Sequence, residues 1–192
     1  MTERRFRLSL LVAWMAIVVG VASFLAPQSS ARRERSDRAE RMDRMEGARL
    51  ALRIVEQRRE TWRWQALMGR RRTPVSQSAA RATGLAYRRW MFDLWKHRAR
   101  DARRLAHNPP RLKAWLCIHR YEGSWKDPNA PYYGGLQMDL GFQRTYGREL
   151  LRRKGTAEHW TPLEQIWAAE RAYRSGRGFY PWPNTARYCG LI

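Results

Sequence analysis

Leu8 to Ala26 is a run of 19 residues without a charged side chain, and it follows three arginines, Arg4, Arg5 and Arg7. A helix of about 20 apolar residues crosses the roughly 30 Å hydrocarbon core of a bilayer, whereas the apolar part of a cleaved signal peptide usually has about 7 to 15 residues. Pro27 and the small residues at 29–31 fit a helix break and a cleavage site. We therefore expect residues 1–31 to be a signal peptide or a membrane anchor. Either one exports the residues that follow.

The formal net charge of the chain is +21, and it is spread along the sequence rather than concentrated in one block. A nucleic-acid-binding arm usually concentrates its basic residues. Nearly all of the positive charge is arginine, since lysine occurs only at positions 96, 113, 126 and 154. A solvated cationic surface is the simplest interpretation, and attraction to an anionic cell envelope is the second. We expect no nucleic-acid partner.

Residues 32–68 are charged and favour helix, with only a thin apolar stripe, so we predict a solvated helical spacer. Residues 69–84 contain Gly, Pro, Ser and Thr without periodicity and are predicted to be a linker. Apolar residues then recur at helical spacing between Leu85 and Ala106. Within 85–108 we predict an amphipathic helix that buries Trp90 and Trp95 against the spacer or the C-terminal domain.

Residues 109–192 contain seven of the eight tyrosines and five of the ten tryptophans of the chain. We predict a small, mainly helical domain with helices over 112–121, 142–154 and 162–176 and a loop-like tail. The third helix begins at Thr161-Pro162-Leu163-Glu164, which combines a capping box with proline in the first turn.

The only two cysteines of the chain, Cys117 and Cys189, lie in this domain, 72 positions apart. Two cysteines in a small exported segment predict one disulfide. Closing a loop of that length stabilises the fold by about 4 kcal/mol through the lost entropy of the unfolded chain.

Glu122 stands at the predicted C-terminal end of the helix over 112–121, close in sequence to Trp125. The negative end of the helix dipole and flanking aromatic side chains favour the protonated form of a carboxyl group. A protonated carboxylic acid can donate its proton to the leaving oxygen of a glycosidic bond. Taken alone, the position fits an exposed glutamate at a helix end just as well, so the neighbouring motif decides.

That motif is Tyr132–Gln137, which reads YYGGLQ. Gly134 and Gly135 allow a positive φ or a close approach of the backbone to a ligand. Tyr132 and Tyr133 can stack on sugar rings, and Gln137 offers amide donors and an acceptor. A tight turn with core tyrosines is the alternative that the spacing alone favours.

Together these residues resemble the resuscitation-promoting-factor core, a small lysozyme-like domain of cell-wall enzymes related to lytic transglycosylases. The resemblance covers about residues 110–192. Its shared features are Trp115 seven residues before the glutamate, the YYGGLQ block, Gln165 in a later helix, Trp182-Pro183 and Cys189-Gly190. It implies that Glu122 is the catalytic acid. It also implies that the glycan groove is lined by Trp125, Tyr132, Tyr133, Gly134, Gly135 and Gln137.

The sequence departs from this family in two places. The family cysteine directly precedes the glutamate, whereas here Tyr121 stands there and Cys117 lies four residues earlier. A shift of four residues keeps nearly the same helix face, so a bridge to Cys189 can persist one turn away, about 5.4 Å. The loop between Glu122 and its tryptophan is also two residues shorter, which changes the groove near the acid.

The mechanism depends on whether a second carboxylate assists Glu122. Retaining and inverting glycosidases pair two carboxyl groups about 5 to 9.5 Å apart. Asp127 and Asp139 are the nearby candidates, but a turn and a helix N-cap are their simpler roles. A single glutamate fits a lytic transglycosylase, in which the 6-hydroxyl of the muramic acid closes an anhydro ring. Hydrolysis assisted by either aspartate is the variant.

We therefore predict a muralytic enzyme that cleaves the MurNAc–GlcNAc backbone of peptidoglycan. A non-catalytic peptidoglycan-binding module on the same fold is the alternative. The histidines at 97, 107, 119 and 159 lack metal-ligand spacing with the cysteines, and no phosphate-binding glycine motif occurs. We expect no metal, no cofactor and a monomer whose partners are glycan strands and, if the N-terminal segment is retained, the membrane.

Overall fold

The computed structural model describes the backbone of residues 3–75 and 84–192 and the side chains of residues 30–75 and 84–192. The helices are α1 (Glu3–Leu67), α2 (Leu85–Ala106), α3 (Leu112–Glu122), α4 (Leu140–Tyr146), α5 (Arg148–Lys154), α6 (Pro162–Ala172) and α7 (Pro183–Tyr188). Two short strands, β1 (Tyr132–Tyr133) and β2 (Met138–Asp139), pair antiparallel. The expected mainly helical fold is confirmed, and so is the disulfide between Cys117 and Cys189.

Helix α1 continues through Pro27, where we expected a break. A proline in a helix interior costs about 3 kcal/mol, and the residues that follow it strongly favour helix. The apolar stretch 8–26, expected to be an anchor or a signal, lies outside the residues whose side chains are described. Within residues 30–75 and 84–192, no helix is long and apolar enough to cross a membrane.

Helix α1 ends at Leu67, and Gly69, the first residue of the predicted linker, has a φ of +66°. Residues 76–83 of the linker lie outside the described residues. Its first part turns back along α1, since Trp62 Nε1 donates to the Thr73 carbonyl at 3.0 Å and Gln65 exchanges two hydrogen bonds with Thr73. Residues 69–75 therefore run back along the helix that they leave.

Helix α2 consequently packs parallel to α1. Arg89 pairs with Glu46 near the start of the contact, and the ring of Trp95 meets that of Trp62 further along. Trp95 is buried, as predicted, but Trp90 is 56 % exposed and its ring packs on Tyr87 instead. Five residues of helix separate the two tryptophans by about 140°, so one face cannot bury both.

The C-terminal ends of α1 and α2 are both fixed to α6 and the π-helical turn that follows it. Arg171 and Arg174 donate to the carbonyls of Leu67 and Met68, at 2.7 and 2.8 Å. Trp167 Nε1 donates to the Ala106 carbonyl at 2.7 Å. Carbonyls at helix C-termini lack partners within their own helix, and these side chains supply them. The spacer is thus docked on the domain as well as on α2.

Burial, together with the neighbouring charge of Arg174, lowers the pKa of Arg171 to about 10. The buried guanidinium nevertheless has hydrogen-bond partners, because it donates to the main-chain carbonyls of both Leu67 and Tyr146. Arg171 therefore joins three parts of the chain: α1, the end of α4 and α6.

The core of residues 109–192 is aromatic. Trp115 on α3 is fully buried, and its ring lies 5.0 Å from Phe179 and 5.1 Å from Trp182. Trp182 in turn donates from Nε1 to the Leu136 carbonyl at 2.7 Å. This network holds α3, the β-hairpin and the C-terminal tail against one another.

Two secondary-structure predictions in this domain, one of a helix and one of a loop, were wrong. The helix predicted over 142–154 is divided at Gly147 into α4 and α5, and a Cβ at Gly147 would lie 2.2 Å from the ring of Trp160. The tail predicted to be a loop contains α7, which begins at Pro183. Proline is favoured in the first turn of a helix, so Pro183 is the start signal that we overlooked.

Candidate active site

Glu122 is the last residue of α3, and its carboxyl lies where α3 meets α7. The Thr185 hydroxyl of α7 donates to Glu122 Oε1 at 2.8 Å. Thr185 is buried, whereas Glu122 is partly exposed. One carboxyl oxygen is thus fixed by a neighbouring helix in a group that solvent or a ligand can still reach.

Helix α3 ends at Glu122 because the chain turns sharply at the next residue. Gly123 has a φ of +135°, a conformation that side chains disfavour, and its N–H still donates to the His119 carbonyl at 3.3 Å. A Cβ at Gly123 would lie 3.6 Å from Asp127 Oδ2 and 3.7 Å from Gln137 Nε2. The side chains of Asp127 and Gln137 therefore lie beside the backbone that follows the glutamate.

The YYGGLQ block contains β1 and the turn that connects it to β2. Its two glycines are buried, and side chains occupy the space above them: a Cβ on Gly134 would lie 2.6 Å from Gln165 Oε1, and one on Gly135 would lie 2.6 Å from His119 Nδ1. The structure thus gives Gly134 and Gly135 a packing role within the hairpin. Gln137 closes the turn with a φ of +47°.

Gln165 on α6 is fully buried, and its side-chain amide contacts the backbone of the segments around the site. Its Oε1 accepts from the Gly135 N–H at 2.9 Å, and its Nε2 donates to the carbonyls of Trp125 and Ala157, each at 2.8 Å, and of Trp160 at 3.3 Å. A single amide therefore links the hairpin, the loop after Glu122 and the segment before α6.

The aromatic residues predicted to line a groove are Trp125, in the loop after Glu122, and Tyr132 and Tyr133, in strand β1. Trp125 stacks on His119 with ring centroids 3.8 Å apart, and His119 Nδ1 lies 3.0 Å from the Gly135 carbonyl. Tyr132 is 50 % exposed, whereas Tyr133 is half-buried against the domain core. Tyr132 and the partly exposed side chain of Trp125 are thus accessible to a ligand.

The two nearby aspartates have the structural roles that the sequence suggested, a turn for Asp127 and a helix N-cap for Asp139. Asp127 accepts hydrogen bonds from the Asn129 N–H at 3.1 Å and from Gln137 Nε2 at 2.9 Å, which stabilises its turn. Asp139 caps α4, since its Oδ1 accepts from the Phe142 N–H at 2.6 Å. Both carboxylates are engaged in local structure, and so is the amide of Gln137.

Glu170 is a carboxylate that the sequence analysis missed. It is fully buried on α6 and accepts from Trp115 Nε1 at 2.9 Å and from the backbone and side chain of Arg111, at 3.0 and 2.7 Å. The available signal was its place among the apolar residues of α6, four positions after Ile166. Its donors fix the start of α3, the helix that ends at Glu122.

Thr185 was also missed, because its role depends on a contact between residues 63 positions apart. Within the side chains that the structure describes, no three His, Cys, Asp or Glu groups cluster in a way that could hold a metal ion. No family model matches the chain, and no curated protein or solved structure matches it either.

Proposed function

We propose that residues 109–192 form a lysozyme-like muralytic domain of the resuscitation-promoting-factor type, which cleaves the MurNAc–GlcNAc backbone of peptidoglycan with Glu122. The observation that carries the proposal is the Glu122 carboxyl itself. It is partly exposed at a helix end and held through one oxygen by Thr185, and it lies next to the loop that carries Trp125 and the hairpin that carries Tyr132. Those rings suit the apolar faces of sugars.

In this proposal a protonated Glu122 donates its proton to the glycosidic oxygen as the bond from that oxygen to C1 of the muramic acid breaks. The transition state resembles an oxocarbenium ion. The Glu122 carboxylate then accepts the proton of the muramic acid 6-hydroxyl, whose oxygen bonds to C1 and closes an anhydro ring. No water is consumed, and Glu122 ends the cycle protonated.

The other carboxylates support this route over a two-carboxylate mechanism. Asp127 is held in its turn and Asp139 in its helix cap. Glu170 is fully buried and paired with Arg111, so a glycan cannot reach it. Glu122 is therefore the carboxyl best placed to act, and a water attack assisted by Asp127 or Asp139 is the hydrolytic variant.

We also propose that the domain works outside the cytoplasm, where residues 1–31 either anchor the chain or export it before removal. The Cys117–Cys189 bridge supports this location, because disulfides persist in oxidising compartments.

The test is turnover of purified peptidoglycan sacculi by the full chain and by Glu122→Gln. The matched control is Glu149→Gln, which alters an exposed glutamate on α5 that pairs with Arg152. We expect wild type and control to release glycan fragments and Glu122→Gln to release almost none. The Gln amide oxygen can still accept from Thr185, so the fold should be unaffected.

Product mass then separates the two chemistries, since anhydro products are lighter by one water than reducing ends. Equal turnover by wild type and Glu122→Gln would refute the assignment of Glu122. A wild-type chain that binds sacculi without cleaving them would instead establish the non-catalytic binding module.

A further inference from the structure

The two sides of α3 near its end differ in what covers them. Successive residues of a helix are rotated by about 100°, so Tyr121 points about 160° away from His119, with Glu122 between them. The His119 side is covered by the hairpin and Trp125. The Tyr121 side faces α7, where the ring of Tyr121 lies 5.7 Å from that of Tyr188.

These two tyrosines contact each other and still leave much of their surface open. Tyr121 is 54 % exposed and Tyr188 is 74 % exposed. Large aromatic side chains left in water at adjacent positions are a common mark of a binding surface, because each ring has an apolar face that a ligand can cover.

The backbone beneath the pair is fixed. Cys117 lies one helical turn before Tyr121, and Cys189 directly follows Tyr188, so the disulfide joins α3 and α7 at this place. A tyrosine ring has few rotatable bonds, and ordering it on a ligand costs little conformational entropy. The Tyr121–Tyr188 pair is therefore a preorganised aromatic surface.

The pair is also close to the candidate catalytic carboxyl. Thr185, which donates to Glu122, lies three residues before Tyr188 on α7. Residues three apart are neighbours on one helix face, about 5 to 6 Å between their Cβ atoms. The contacts Glu122–Thr185 and Tyr121–Tyr188 thus follow one another along the boundary between α3 and α7.

We propose that Tyr121 and Tyr188 form a second carbohydrate-stacking subsite, on the side of Glu122 opposite the YYGGLQ hairpin. It binds a pyranose ring of the glycan strand on the far side of the scissile bond from the ring held by Tyr132 and Trp125. This inference rests on the proposed function. It extends the groove across the end of α3, with Glu122 between two aromatic surfaces.

The experiment uses the full chain carrying Glu122→Gln, so that binding is measured without turnover. The probe is a purified tetrasaccharide of alternating GlcNAc and MurNAc, titrated by calorimetry. Adding Tyr121→Ala and Tyr188→Ala together should weaken binding about tenfold, which corresponds to about 1.4 kcal/mol. Tyr180→Ala, which removes a ring that is 76 % exposed elsewhere in the domain, should leave the affinity unchanged.

The conservative pair Tyr121→Phe and Tyr188→Phe keeps both rings and should bind like the parent, which separates stacking from a general loss of structure. Binding by the double Ala variant as tight as that of the parent would overturn the subsite, and so would an equal loss in the double Phe variant.

Turnover of sacculi by chains that retain Glu122 is measured in parallel. Cleavage by wild type together with full binding by the double Ala variant refutes the subsite and leaves the enzyme intact. Absence of cleavage with a tenfold binding loss refutes the enzyme and leaves the subsite. A wild-type chain that neither binds nor cleaves the glycan refutes both.

Discussion

Replacing Gln165 with leucine should strongly destabilise the domain, because Gln165 is fully buried and fully hydrogen-bonded. The change removes an amide that makes four hydrogen bonds, three of them at 2.9 Å or shorter. It leaves the Gly135 N–H and the carbonyls of Trp125 and Ala157 without their partner. A buried polar group that loses its partner costs roughly 1 to 3 kcal/mol. Because the hydrogen bond to the Trp125 carbonyl is only partly buried, that carbonyl can be hydrated, and we expect a total of about 4 kcal/mol.

Gln143→Leu is the matched control, because Gln143 is an equally buried glutamine with a single hydrogen bond, from its Nε2 to the Met138 carbonyl at 2.7 Å. Its Oε1 lacks a hydrogen-bond partner, so leucine relieves one cost while adding another. We expect a loss of about 1 kcal/mol or less for Gln143→Leu.

The assay is urea unfolding of the oxidised chain, followed by tryptophan fluorescence and circular dichroism. The quantity to compare is the difference between the losses of unfolding free energy of the two variants. Both replace glutamine by leucine, so effects on the unfolded chain cancel to a first approximation. Equal losses of unfolding free energy for Gln165→Leu and Gln143→Leu would refute the reasoning that Gln165 holds three segments together.

Three further predictions concern the acid, an ion pair and the disulfide. Thr185→Val removes the hydroxyl that fixes Glu122 and should lower turnover of sacculi about tenfold, which corresponds to about 1.4 kcal/mol of activation free energy. Thr185→Ser keeps the hydroxyl and should restore turnover, and full activity of the valine variant would contradict the role of Thr185 in holding Glu122. Burial alone would raise the pKa of Glu164, but hydrogen bonds from its lysine partner and from the helix N-terminus outweigh burial and hold the pKa below its ordinary value. The ionised Glu164 carboxylate therefore stabilises the fold fully above its ordinary pKa, and this stabilisation is lost as the pH falls through the lowered pKa. The melting temperatures of wild type and Glu164→Gln should differ at neutral pH and converge in strong acid. A difference that does not change with pH would refute the linkage between this pKa and stability. Cys117→Ser combined with Cys189→Ser should cost about 4 kcal/mol in urea unfolding, and an unchanged midpoint would show that the closed loop does not stabilise the fold.

The parts of this structure that were predictable are those set by neighbouring residues. The capping box at Thr161 and Glu164 is present with both of its hydrogen bonds, and α2 has the predicted bounds Leu85–Ala106. Each depends on residues within one or two helical turns. The turn at Asp127 and the cap at Asp139 are local in the same way.

The parts that were not predictable depend on contacts between distant residues. Gly147 interrupts a regular helical pattern because the ring of Trp160 packs on its backbone. Glu170 has the same side-chain chemistry as the exposed Glu149, and only its donors on Arg111 and Trp115 make it a buried element of the fold. Periodicity indicates that a face is covered, but it does not identify the partner.

The docking of α1 has a mechanical consequence. From residue 30 to Leu67 the helix rises about 55 Å at 1.5 Å per residue, and its far end is fixed by Arg171 and Arg174 rather than by a flexible joint. In the anchored form that we propose, the helix sets a fixed distance between the membrane and the domain. The number of helical residues then determines how far from the bilayer the domain contacts peptidoglycan. Glycan strands much nearer to the bilayer, or much further from it, are not accessible to the domain.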